Sequence, residues 1–328
     1  MDAGARPDVV TLGECLVAFV SSSPGPMAEA TTFDRYVAGA EANVAVGLAR
    51  LGHAVAYVGH VGADGFGTAI TRALRGEGVD VRHLTVIDDR RTGVMFRERR
   101  ALGAMDVVYH RAGSAGSTLS VEDVERAADD GLFRAGWLHL TGITPALSPS
   151  ARAATTRARD LARTAGATIS LDVNLRRRLW SVAEAAEVLR ELAAAVDVVL
   201  GSVDELALLA GVDAGTAPDE LVAAVAQLGP ETVVAKRGSD GALGFEAGGE
   251  AIHQGGVPVP VVIDPVGAGD AFCAGFIAGR LDGVDLTTAL RMGNACGALA
   301  VAASGDQAGL PDRAELARLL GGSPDTLR

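Results

Sequence analysis

The sequence predicts an α/β fold built on a doubly wound, mostly parallel sheet. Three observations carry that prediction. From Val121 onward, short apolar and β-branched runs alternate strictly with longer stretches of helical period. Such alternation means parallel strands joined by helices on both faces. Hydrophobic residues make up 48% of the 328 residues and charged ones 21%, which suits a large packed core and not disorder. Four polar clusters follow strands: Asp172, Asn174 and Arg176; Ser202 and Glu205; Lys236, Arg237 and Gly238; and Asp264 to Asp270. Ligands on such sheets bind beyond the carboxyl ends of the strands. The length suits one domain over 1–328 with an accessory piece.

In chain order, Asp8–Gly13 is a buried strand and Glu14–Val20 a second extended piece. Ser21–Pro26 reads as a loop and Phe33–Val37 as a strand. Gly39, Ala40, Glu41, Ala42 and Asn43 feed a helix that stops at Gly52. Asn43 is there either a satisfied helix polar group or a hydrogen-bond partner for a polyol, with Gly39 allowing close approach. Ala54–Val61 is a strand, followed by a helix through Gly76 and an extended Val79–Val86. The glycines of Gly62–Gly67 do not spell G-x-G-x-x-G, so neither a dinucleotide site nor an oxidoreductase is supported.

Thr92–Arg99 and Met105–Arg111 read as an inserted hairpin with its turn near Leu102–Ala104. Met95 and Arg97 share one face, Val94 and Phe96 the other. Such an insertion, within roughly 90–112 and joined by strands within roughly 14–38, suits a lid over a site. Tyr109 and Arg111 point the same way, either into that site or as polar decoration of an edge strand. His110 reads as structural. Then come helix Val121–Arg134, strand Trp137–Thr141, helix Ser150–Ala165 and strand Ala167–Val173. Helix Ala183–Ala195, strand Val196–Gly201 and helices Glu205–Ala210 and Pro218–Leu228 follow. Strands Glu231–Lys236, Ala242–Phe245 and others around Ala251–Val262 lead to helices Ala271–Leu281, Leu286–Ala303 and Asp312–Leu320.

The composition excludes several classes. A net charge of −12 and 4% aromatics argue against general nucleic-acid binding, which needs phosphate neutralisation and stacking platforms. No apolar stretch reaches the ~20 residues of a membrane span, and Met1–Asp8 lacks a signal core, so a soluble cytoplasmic protein is expected. Cys15, Cys273 and Cys296 are scattered without a CxxC pair, which argues against a disulfide framework or zinc site. Lys236 is the single lysine. It is followed by Arg237, so no Walker A motif can form around it.

The richest stretch is Asp264-Pro-Val-Gly-Ala-Gly-Asp270, followed by the apolar run Ala271–Ala278. Gly267, Ala268 and Gly269 permit a tight turn before a buried helix, whose free N–H groups suit a phosphate. Asp270 sits where that helix is expected to begin. It is either the general base of a phosphoryl transfer or an ordinary N-cap.

This stretch, with Ala274-Gly275 beyond it, resembles the C-terminal signature of the PfkB, or ribokinase-like, carbohydrate kinase family. Gly39 to Asn43 resembles its N-terminal signature, with Glu41 where a small residue is usual. Tyr109 to Gly116, Leu138 to Pro149 and Ser170 to Arg176 carry the likeness closest to kinases of 2-keto-3-deoxygluconate. The resemblance implies a ribokinase-like domain with a small β-sheet lid used in homo-oligomer contacts. It implies a sugar acid as acceptor, magnesium-ATP as donor, and leaves room for a monovalent cation. Carried onto this chain, Asp270 is the base, and Gly267, Ala268 and Gly269 supply the anion hole. Gly39, Ala40, Glu41, Asn43, Met95, Tyr109, Arg111, Arg176 and Asp306 form the sugar-acid pocket. Asn174, Ser202, Lys236, Arg237, Gly238, Gly241 and Asn294 fall to the nucleotide, and Glu205 to magnesium through water. Met95 and Leu175 replace aromatics of close relatives, and Ser202 replaces an Asn. Arg111 and Arg176 suit a carboxylate. Another kinase of the family, such as a fructokinase, and a non-catalytic sugar-acid-binding regulator stand as alternatives.

Overall fold

The structure, a computed structural model, describes residues 6–99 and 106–321. The chain opens with strand β1 (Val9–Leu12), then forms β2 (Leu16–Pro24) and β3 (Phe33–Ala38) of a separate small sheet. Helix α1 (Ala40–Arg50), β4 (Val55–Gly62), α2 (Gly65–Gly76) and β5 (Asp80–Ile87) follow, before β6 (Val94–Arg99) and β7 (Val107–His110) complete the small sheet. The main alternation runs α3 (Val121–Asp129), β8 (Trp137–Thr141), α4 (Thr144–Leu147), α5 (Pro149–Thr164), β9 (Thr168–Asp172), α6 (Val182–Ala193) and β10 (Val198–Ser202). Next come α7 (Val203–Ala210), α8 (Pro218–Ala226), β11 (Thr232–Lys236), β12 (Ala242–Glu246) and β13 (Ile252–Gln254). Helices α9 (Ala268–Leu281), α10 (Leu286–Ala300) and α11 (Arg313–Gly321) finish the chain.

The large sheet has the order β13-β12-β11-β10-β9-β8-β1-β4-β5, parallel except at β12 and β13. Successive residues of one strand feed opposite cores. Val9 and Val234 pack in the core that holds α1, α2, α9 and α10, while Val10 and Val233 pack in the one that holds α3 and α5–α8. Burial on both faces is why these strands read as unbroken apolar runs. Chain order reverses at β1, so the sheet edge beside it is a place where ligands bind.

The small sheet has the order β3-β2-β6-β7, with only β2 and β6 parallel. Leu16, Ala18, Ala38 and Met95 form its inner face, joined by Tyr36, Val107 and Tyr109. Met95 pairs with Tyr109, so the face assignment from alternation holds. The turn expected near Leu102–Ala104 lies outside the described residues.

Several boundaries differ from expectation. Ser21–Pro26 is not a loop: β2 continues to Pro24 through a bulge, and the proline sits at the strand's end, where its missing N–H breaks no ladder. The helix from Val121 ends at Asp129, because Gly131 turns left-handed before a short 3₁₀ turn. Around Ala251–Val262 only Ile252–Gln254 is a strand; Gly255, Gly256 and two prolines follow it.

Candidate active site

Helix α9 starts three residues before the apolar run suggested. Gly267 is its N-cap, in the left-handed region at φ 84°, and a Cβ there would lie 2.8 Å from the Asp306 carbonyl oxygen. Only glycine fits that backbone and that contact. Asp270 is therefore the third helical residue and not the N-cap. Its side chain is buried and turned into the site, and the first-turn N–H groups lie beside it without intrahelical partners.

Two amides hold the Asp270 carboxylate. Asn43 Nδ2 donates to Oδ2 at 2.8 Å and Asn174 Nδ2 to Oδ1 at 3.3 Å. Asn43 belongs to the first turns of α1, which is capped by Gly39 at φ 139°; a Cβ on Gly39 would lie 2.6 Å from the Glu14 carbonyl oxygen. Asn174 follows β9 and, among the described residues, is the one non-glycine with positive φ, at 40°. Such a conformation persists where surroundings over-determine it. Burial pushes the Asp270 carboxyl up to about 7; the Asn43 bond opposes the shift and the Asp172 charge adds to it.

Behind Asp270 lies a buried ion pair. Lys236, at the end of β11, reaches past β10 to Asp172 at the end of β9, with Nζ 2.7 and 2.8 Å from the two oxygens. Burial works against the ammonium, but the Asp172 carboxylate outweighs it and the net shift is upward. A Cβ on Gly269 would sit 3.4 Å from Nζ, so this cation stands beside the α9 start. All three cysteines are buried and free, and Cys273 Sγ lies 3.5 Å from Asp172 Oδ2.

A cavity of 390 Å³ opens in front of Asp270, a size suited to a small polar molecule. Every residue expected in the sugar-acid pocket lines it: Gly39, Ala40, Glu41, Asn43, Met95, Tyr109, Arg111, Arg176 and Asp306. Their environments differ. Arg111 Nε donates to Glu14 Oε2 at 2.6 Å, its Nη2 meets the same oxygen, and the Ser114 hydroxyl donates to Glu14 Oε1. Arg176 is exposed, with one hydrogen bond to the Leu175 carbonyl. Glu41 is buried and accepts from the Thr141 and Thr144 hydroxyls at 2.6 and 2.5 Å. Burial raises its pKa, and those two bonds oppose the rise. Asp306 lies 2.8 Å from Arg97 Nη2. Burial pushes Asp306 up, Arg97 opposes this, and neighbouring Asp264 adds to it.

A second cavity, of 440 Å³, shares Lys236, Pro265 and Gly269 with the first. Gly238, Gly241, Ala268 and Asn294 line it, with an apolar wall that includes Val257, Pro258, Val259 and Phe272. An apolar slot ending at a helix N-terminus fits an adenine nucleotide whose phosphates lie against α9. Asn294 Nδ2 donates to the Gln254 and Gly255 carbonyls, fixing the loop that makes the slot. Three residues expected at the nucleotide are not among its lining. Asn174 faces the first cavity, Arg237 sits 3.9 Å from Asp240, and Ser202 caps α7. Glu205 closes that capping box: Oε2 accepts from Ser202 N and Oε1 from Leu175 N. Among the described residues no group of three His, Cys, Asp or Glu side chains could hold a metal.

Glu14 and Arg97 line the first cavity and were not expected there; Asp172, singled out only as a member of a strand-end cluster, lines it too. Glu14 stands two residues beyond β1, the same strand-end signal that marked the others. Arg97 shares a strand face with Met95, a weaker signal that could have found it.

An apolar slot and a polar cavity, meeting at a helix N-terminus with a buried carboxylate between them, suit a phosphotransferase acting on a small polar acceptor. The chain belongs to the pfkB family of carbohydrate kinases, whose pattern matches residues 6–313. It is 39% identical to 2-dehydro-3-deoxygluconokinase of Bacillus subtilis (strain 168) over 315 residues, covering 95% of both chains. Among solved structures, it is similar to 2-dehydro-3-deoxygluconokinase from Thermotoga maritima, with TM-score 0.85, 28% identity and coverage of 97% and 99%. It is also similar to a putative ribokinase II from E. coli in complex with ATP and magnesium, with TM-score 0.86, 29% identity and coverage of 96% and 99%.

Proposed function

We propose that this kinase phosphorylates 2-keto-3-deoxygluconate (2-dehydro-3-deoxygluconate) at its terminal hydroxyl, giving 2-keto-3-deoxy-6-phosphogluconate. The observation that supports this most is that two guanidinium groups, Arg111 and Arg176, line the same cavity as Asp270. A neutral sugar would leave Arg176 without an anion, while Arg111, already paired with Glu14, would add a second positive group to the acceptor's carboxylate. Tyr109 packs beside Arg111, whose guanidinium lies 5.6 Å from the ring centre.

When bound, magnesium-ATP supplies the phosphoryl group and part of the charge that neutralises it. The chain's own residues do the rest. Arg111 and Arg176 hold the acceptor's carboxylate, which fixes the far end of the molecule. Asp270 takes the proton of the attacking hydroxyl; a base near pKa 7 is matched to neutral pH. The first-turn N–H groups at Gly267–Gly269 and the Lys236 ammonium meet the charge on the transferring group. Glu205 acts on magnesium through water, and Gly238, Gly241 and Asn294 hold the nucleotide. The small sheet is the lid that excludes water. Purified protein with magnesium-ATP is tested against this acid, its galactonate epimer, fructose, ribose and adenosine. Turnover on the sugar acids is expected, and turnover confined to a neutral sugar overturns the substrate assignment. The same assay in potassium, sodium and tetramethylammonium chloride at one ionic strength tests for a monovalent cation.

The lid also supplies the homo-oligomer contact. Its outer face carries a partly exposed aromatic group, Phe19, Phe33 and Phe96, with ring centres 5.2 and 5.7 Å apart and exposed Val108 beside it. A self-complementary dimer would cover that face. Phe96→Asp is expected to shift the sedimentation species to monomer, and a wild-type monomer overturns the contact. A cytoplasmic location fits an ATP-consuming enzyme in which no described helix is long and apolar enough to cross a membrane.

A further inference from the structure

We infer that Arg97, on the small sheet, is a positioning residue for the phosphoryl site: it sets the loop that forms the anion hole. The proposal rests on the kinase reading above. Arg97 is only 1% exposed, on the inner face of β6 beside Met95. It is among the largest fully buried side chains of the protein. Its Nη2 lies 2.8 Å from Asp306 Oδ1 and 3.3 Å from Asp264 Oδ2. Charge holds it there, with both carboxylates within ion-pair distance of one guanidinium nitrogen.

Both carboxylates are built into the backbone around the α9 start. Asp264 Oδ1 accepts from Val266 N at 3.1 Å, and Oδ2 from Gly305 N at 3.3 Å. Asp306 packs its backbone against Gly267, close enough that a Cβ would meet its carbonyl at 2.8 Å. A shift of Arg97 therefore passes to Asp264 and Asp306, and from them to Val266 and Gly267, where the anion-hole donors begin. Two further small-sheet side chains seat on the same turn. Arg99 Nη2 donates to Ser304 Oγ at 2.8 Å and the Tyr36 hydroxyl to the same atom at 3.4 Å. Without Arg97, two buried carboxylates would face each other uncompensated, which separates or neutralises them. Placement of the small sheet and formation of the anion hole thus become one event.

The experiment first measures wild-type turnover of the sugar acid; no turnover there counts against the kinase reading and not against Arg97. Arg97→Met is expected to lower kcat about a hundredfold, the size of a small misplacement at a reacting centre, with KM for ATP changed less than about twofold. Arg97→Lys should recover part of the loss by restoring the charge. Combining Arg97→Met with Asp306→Asn should cost no more than the worse single change, since both act through one unit. A folded Arg97→Met enzyme with wild-type kcat, or losses that multiply, overturns the proposal. If the Met variant does not fold, Arg97→Lys carries the same kcat test. Hydrogen exchange needs no turnover: the amides of Val266 and Gly305, which donate to Asp264, should exchange about tenfold faster in the variant while β8 and β9 stay unchanged. Exchange that is unaltered, or faster everywhere alike, overturns the proposal.

Discussion

The two walls of the acceptor cavity are built differently. The wall from the large sheet and its helices holds Asp270 between Asn43 and Asn174, with the Lys236–Asp172 pair behind. The wall from the small sheet and the turn after it presents Arg111, locked on buried Glu14. Arg176 is a third case, exposed on the loop after β9 and tied, among the described residues, to a neighbouring carbonyl. Under the proposed function, the difference separates chemistry from recognition. The catalytic wall is a closed network whose charge is tuned by burial, and the recognition groups range from fixed to free. Changes on the catalytic wall should act on kcat, and those on the recognition groups on KM.

The largest effect is expected at Asp270. Asp270→Asn keeps the shape and a partner for Asn174 or Asn43 but removes the base. kcat should fall by roughly 10²–10⁴, the usual contribution of a positioned base, with acceptor KM nearly unchanged. Retained turnover refutes the role. The same change should stabilise the fold at high pH. A carboxyl whose folded pKa is about 7, against 3.8 for a free aspartate side chain, favours the protonated form. Its cost grows as pH rises from about 4 through 7 and is fully present above. The variant should therefore melt higher than wild type at pH 8 and equally at pH 4, which differential scanning fluorimetry reads.

The two arginines come next, and they test the contrast directly. Arg111→Ala leaves Glu14 buried, its side chain fully inaccessible, without a cation. That costs about 3 kcal/mol or more of stability, beyond any loss of acceptor binding. Adding Glu14→Gln should return much of the melting temperature and none of the KM. Arg176→Ala, on an exposed side chain, should leave the stability within about 0.5 kcal/mol of wild type. It should raise KM for the sugar acid about tenfold or more, the worth of a hydrogen bond to a charged group. Equal stability losses at both positions would erase the distinction between a fixed and a free guanidinium.

The sequence made one side of this contrast more legible than the other. Strand-end clusters and the Gly267–Asp270 stretch announced the sheet edge and the helix start, because both depend on local pattern. Every residue that the resemblance assigned to the acceptor pocket lines one cavity. Pairings were not legible. Asn43 meets Asp270 across 227 positions and Arg111 meets Glu14 across 97; no local periodicity reports which acid faces which donor. Ser202 shows the converse. Its spacing to Glu205 is that of a capping box, S-x-x-E, which α7 forms in full.

The smallest expected effect is also the sharpest probe of the catalytic wall. kcat/KM should rise with pH along one ionisation near 7, since the base must be unprotonated and its carboxyl sits at about 7. Burial raises that value, and the hydrogen bond from Asn43 is the largest influence lowering it. Asn43→Ala removes a donor to the charged form, so the carboxyl should hold its proton to higher pH. The acid limb should move up by about one unit, because a hydrogen bond to a charged group is worth about 1.5–3 kcal/mol and one unit about 1.4. Above the new limb, the variant should approach wild-type kcat unless Asn43 also contacts the acceptor, in which case acceptor KM rises too. A limb that stays in place would mean that Asp270 is not the group titrating. A limb that moves down would mean that burial is relieved more than the lost bond matters. The direction of one pH profile thus decides whether the amide or the closed wall sets the base.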